Sequence, residues 1–133
     1  MHYKKILLAG FLALFINAVS AQSKLKPGTW RGVLTNSKDN ELPFNFEVTT
    51  ISGKQQLDII NGTERFKVTD VKQKGDSVFI HMPLFNSEFR LKYEGASLKG
   101  KWIKHLGNKD ALMDFTATPG QTWRFFSSAA KPA

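Results

Sequence analysis

The side chains best suited to chemistry are few. After the first residues the chain offers two histidines, His81 and His105, and it contains no cysteine. A nucleophilic triad would need one of these histidines beside a serine and a carboxylate, yet no Gly-x-Ser-x-Gly elbow is present to expose the serine. Ser87-Glu88 follows Asn86, but short polar residues between two strands ordinarily make a turn. Neither histidine has a second ligand at the close spacing that a transition-metal site uses. The glycines are spread among the turns instead of gathering into a phosphate-cradling loop. The sequence therefore points to no catalytic residue, no metal site and no cofactor site, and both histidines are expected to be solvated or hydrogen-bonded.

Aromatic side chains are the excess, with 11 Phe, 3 Trp and 2 Tyr in 133 residues. In a small all-β domain they either fill the interior completely or line a cavity for an apolar ligand. The interior or rim positions the pattern singles out are Phe44, Phe46, Glu64, Phe66 and Trp102. Glu64 shares a face with apolar neighbours beside a turn, so it is either a ligand contact or a rim carboxylate that stays in water.

These residues must be positioned by strands. Apolar and polar residues alternate in short stretches separated by turn formers, and no stretch repeats at helical spacing. The expected strands are 29–34, 42–50, 55–60, 63–68, 77–82, 88–93, 98–105, 112–118 and 122–126. Asn61-Gly62 is the strongest hairpin signal. If these two residues form the whole loop, Asp58 faces Arg65 on the polar side while Leu57 faces Phe66. Short connections between sequence neighbours favour an up-and-down antiparallel barrel of about eight to ten strands over a Greek-key sandwich.

The first 21 residues read as a secretory signal peptide: Lys4 and Lys5 lead into the apolar run 6–16, and Val19-Ser20-Ala21 supplies small residues for cleavage. A retained membrane anchor is the alternative, but the run is shorter than the ~20 residues a spanning helix needs, so no stable membrane insertion is expected. Removing 21 of 133 residues leaves 112, enough for one domain, 22–126, followed by a linker-like tail at 127–133. Without Lys4 and Lys5, 17 basic residues remain against 11 acidic ones, a balance of +6. The lysines are scattered rather than striped with aromatics, and an exported chain does not ordinarily meet nucleic acid, so the expected partner classes exclude it. An anionic partner such as lipopolysaccharide or membrane headgroups stays open. A cysteine-free chain sent to an oxidising compartment must rely on packing and hydrogen bonds, and cannot itself exchange thiols.

Gly28-Thr29-Trp30 near the start of the mature chain and Trp123-Arg124-Phe125 near its end suggest that the first and last strands meet and close the barrel. Gly28, Trp30 and Arg124 resemble the clasp of lipocalin-type barrels, in which a first-strand Trp packs on a last-strand Arg. Longer stretches, Glu41-Leu42-Pro43-Phe44-Asn45-Phe46-Glu47, Ile60-Asn61-Gly62-Thr63-Glu64-Arg65, Gly75-Asp76-Ser77-Val78, Met82-Pro83-Leu84-Phe85-Asn86-Ser87-Glu88-Phe89 and Gly100-Lys101-Trp102, resemble the N-terminal region of exported TlpA-like, thioredoxin-type disulfide reductases. In that family the Cys-x-x-Cys centre belongs to a thioredoxin-fold domain further along the chain. The resemblance implies a noncatalytic accessory barrel, periplasmic or envelope-associated, whose partner is a thioredoxin-fold domain in the same or another polypeptide. The competing reading is a stand-alone lipocalin-like carrier of a small apolar ligand.

Overall fold

Alternation of apolar and polar residues builds nine antiparallel strands in the computed structural model, which describes residues 24–124. They are β1 (Gly28–Thr35), β2 (Glu41–Ile51), β3 (Lys54–Asn61), β4 (Glu64–Val68), β5 (Asp70–Lys74), β6 (Ser77–Met82), β7 (Ser87–Glu94), β8 (Ser97–His105) and β9 (Asp110–Pro119). The described residues contain no helix. All nine strands form one sheet in the order β4-β3-β2-β1-β9-β8-β7-β6-β5, curled into a nearly closed barrel. The signal-peptide and tail readings at 1–21 and 127–133 lie outside the described residues.

Two meanders make up this sheet. One is β1 to β4 and the other β5 to β9, and they are zipped together by pairing of β1 with β9 from Trp30 opposite Pro119 to Thr35 opposite Asp114. The first and last strands therefore meet. On the far side the sheet ends at β4 and β5, which are separated in sequence by Thr69 alone. The Val71 amide donates to the Thr69 carbonyl at 3.1 Å, pinching the chain so that β4 pairs with β3 and β5 with β6.

Three expectations are corrected. Asp70–Lys74 forms a strand that its polar composition conceals, because only Val71 and Gln73 turn a partly buried side chain inward. Of the expected strand 122–126, residues 122–124 form no strand and cross the outside of β1 and β2 as a strap, while 125–126 lie outside the described residues. The hairpin after β3 turns on Gly62-Thr63, so that Ile60 faces Arg65 and Ile59 faces Phe66. Gly62 has φ 63°, the left-handed value that the first central position of a II′ turn requires, and glycine accepts it without strain. The change moves the pairing by an even step, so every side chain keeps the face expected of it.

The core is the inward-facing set Trp30, Phe46, Val48, Leu57, Val68, Val78, Ile80, Phe89, Leu91, Leu98, Phe115 and Ala117, joined by Leu25 from the segment before β1. Gly32 is buried in β1, and a Cβ there would lie 2.8 Å from the Phe115 ring and 3.1 Å from that of Phe44. The missing side chain is what lets those two rings stack across the strand, 5.9 Å apart.

Candidate functional site

The interior is where a barrel of this size could hold a ligand, and rings occupy it. Trp30 stacks on Phe46 with centroids 5.8 Å apart, Phe46 is 6.0 Å from Phe44, Phe44 is 5.9 Å from Phe115, and Phe115 is 4.7 Å from Phe89. Separations of this size lie in the favourable range for aromatic pairs. The five rings run continuously through the barrel. Between them and Leu57, Ile59, Ile80, Met82, Leu91 and Leu98 remains a wholly apolar cavity of about 10 Å³, about the room of one water, and nothing there would hydrogen-bond it.

The two ends of the barrel differ. At the end where the chain enters, Leu25 is only 1% exposed and caps the core. The segment is held by a side chain acting as a short piece of strand: the Leu25 amide donates to Gln55 Oε1 at 3.0 Å, and Gln55 Nε2 donates to the Leu25 carbonyl at 2.7 Å. Gln73 Nε2 donates to the same Gln55 oxygen at 2.6 Å, and the Tyr93 hydroxyl donates to Gln73 Oε1 at 3.0 Å. This chain bridges β3, β5 and β7 beneath the unpaired edges. Burial pushes the Tyr93 phenol above its ordinary pKa, which keeps it a donor. Trp30 Nε1 donates to the Lys26 carbonyl at 2.7 Å, so the largest buried ring also pins the plug.

The opposite end is the mouth. Phe44, Phe66, Trp102 and Met82 are half-buried there and pack on the core. Glu64 stands opposite Asn61 beside the turn and is exposed, the rim placement rather than an interior one. Leu84 and Phe85 are exposed in the connection from β6 to β7, Phe85 by 69%, with the Lys104 ammonium 5.3 Å from the ring centre. Phe85 and Asn86 have φ of 63° and 44°, and a bulky residue in that region is strained. Ser87 Oγ donates to the Leu84 carbonyl and the His105 amide to the Asn86 carbonyl, which hold the turn.

The clasp residues occupy opposite faces of the sheet. Trp30 lies inside, stacked on Phe46, and Gly28 starts β1 at φ 110°. Arg124 lies on the outside, where its Nε donates to the Pro43 carbonyl at 3.1 Å and its own carbonyl accepts from Arg31 Nε at 2.9 Å. The ring over which an arginine sits is Trp123, 4.0 Å from the Arg31 guanidinium carbon. Asn45, 8% exposed, is the buried anchor of this strap: its Nδ2 lies 3.3 Å from the carbonyls of Trp30, Gln121 and Trp123. The strap thus ties β1 and β2 to the end of β9. The sequence signal that could have found it was an asparagine in an otherwise regular strand.

Of the two histidines, His105 sits in an ionic cluster on the outer face near the mouth. Its Nδ1 is 2.8 Å from Asp110 and its Nε2 3.3 Å from Glu88, which also bonds Arg90 at 2.6 Å. The hydrogen bond to Asp110 raises the His105 pKa, with Glu88 adding to it. Burial pushes the Glu88 carboxyl up, but Arg90 and His105 outweigh it and hold the group below its ordinary value. The cluster links β7, β8 and β9 and has no nucleophile in it. Among the described residues no group of His, Cys, Asp and Glu is placed to hold a metal ion, and no helix is long and apolar enough to cross a membrane. No family model, curated protein or solved structure matches the chain.

Proposed function

We propose that this barrel is a noncatalytic accessory module that acts through its outer surface, serving an exported TlpA-like thiol-disulfide oxidoreductase whose redox chemistry resides in a thioredoxin-fold domain. The observation that carries the first part is the filled interior: five aromatic rings in contact and a cavity of about 10 Å³ leave the outside of the barrel for recognition. The second part rests on the sequence resemblance spread along the strands and on a chain with no cysteine of its own. Sequencing the gene beyond the Ala133 codon, together with its neighbours, tests this reading. A thioredoxin-type frame carrying Cys-x-x-Cys is expected in the same or an adjacent gene; a native stop codon with no such gene nearby overturns it.

A second reading, a carrier of a small apolar ligand, is favoured by one feature. Every residue lining the interior cavity is apolar, and Met82 and Phe44, near the mouth, are side chains that rotation could move aside. Titration with an environment-sensitive fatty-acid probe should saturate if the barrel opens in this way. Absence of saturable binding sinks the carrier.

A further inference from the structure

The outer face of β5 to β8 carries six cations in two adjoining rows. In the register of the sheet one row runs Lys72, Phe79, Arg90, Lys101, and the next Lys74, Ser77, Lys92, Lys99. Arg90 stands directly opposite Lys101, and Lys92 opposite Lys99. Like charges in direct cross-strand pairs destabilise a sheet; carboxylates offset the first pair, and the second, Lys92 opposite Lys99, is a cost that an anion would relieve.

Carboxylates reach only part of this face. Asp70 lies 3.9 Å from Lys72, Glu88 bonds Arg90, and Asp114 pairs with Lys101. All three serve the row nearer the mouth. The other row, Lys74, Lys92 and Lys99, makes no ion pair among the described residues; Asp76 and Glu94 stand close to it in sequence, in or beside the turns. That row adjoins the plugged end, where exposed Lys24 and Lys26 border the turn at Gly95 and Ala96. Phe79 is 40% exposed among the cations.

We propose that this face, with the plugged end beside it, docks on an anionic lipid bilayer. A two-row lattice of cations spread over four strands matches phosphates spread over a plane, where each lysine near the surface contributes ~1 kcal/mol. An exposed ring among the cations suits the boundary between headgroups and acyl chains.

The test is co-sedimentation of the purified protein with vesicles of phosphatidylcholine alone or mixed with phosphatidylglycerol. Binding is expected only to the mixed vesicles, falling as salt rises and screens the charges. Lys99→Glu is the informative variant, because it turns the Lys92 pair into one of opposite charge. It should raise the midpoint of a denaturant melt and at the same time weaken vesicle binding by at least about 5-fold, the equivalent of one surface charge. Lys38→Gln with Lys109→Gln, at the mouth, should leave binding unchanged. Equal binding to neutral and anionic vesicles overturns the proposal, as does an equal loss in the mouth variant. Binding to polyglutamate or DNA without binding to vesicles would assign the face to another polyanion and overturn it too. None of these outcomes depends on the thioredoxin partner.

Discussion

At the scale of single residues, Trp30 does the most. It is 1% exposed, stacks on Phe46 and donates to the plug through Lys26. Trp30→Ala should cost ~3–5 kcal/mol in a urea melt, enough to unfold a domain of this size; a loss under about 1 kcal/mol would contradict its place in the core. The His105 cluster predicts a pH profile. The raised His105 pKa contributes stability that is full below its unfolded value, near 6.5, and is lost as pH rises through the folded value. The lowered Glu88 pKa contributes above its unfolded value, near 4.5, and is lost as pH falls through the folded one. Stability from the cluster should therefore peak between about pH 4.5 and 6.5, and His105→Gln should remove the decline on the alkaline side. Chemical denaturation at a series of pH values reads both limbs. The sequence showed Trp30 and the interior rings through their alternation, but it could not show His105 between two carboxylates, because Glu88 and Asp110 reach it across strand pairings.

Elements were legible to the degree that their two faces differ. β2 alternates Phe44, Phe46 and Val48 with Pro43, Asn45 and Glu47, and its boundaries followed from that. β5 hides because its inward face is one valine and one glutamine, whose burial the hydrogen bonds to Gln55 and Tyr93 make tolerable. Residues 122–124 carry the alternation of a strand, yet Trp123 lies against Arg31 outside the sheet. Between β7 and β8 the decisive position is Gly100, opposite Leu91, where an added Cβ would run into the Arg90 carbonyl oxygen. Because that obstacle is backbone, Gly100→Ala must push the two strands apart. The expected cost is ~1–3 kcal/mol or more, read in the same denaturant melt, and a neutral result would show that β8 can shift without loss.

The whole molecule was predictable as an all-β barrel because strand count and short connections agree, whereas the aromatic end at Trp123 belongs to no strand. The route by which the sheet closes was less legible, since it turns on Thr69 and on a strap that sequence alternation disguises. That route governs how the chain folds. Seven of the eight strand pairings join sequence neighbours and can form as local hairpins, while the pairing of β1 with β9 joins residues separated by most of the domain. As the chain is made, the sheet cannot zip until β9 exists, so the seam is a late, long-range event, slow for the entropic reason that non-local contacts are slow. A circular permutant that links residue 124 to residue 24 and opens the chain at Thr69 would turn the seam into another local connection. Such a chain would run as one uninterrupted meander from Asp70 to Val68, and stopped-flow refolding should find it faster than the natural order.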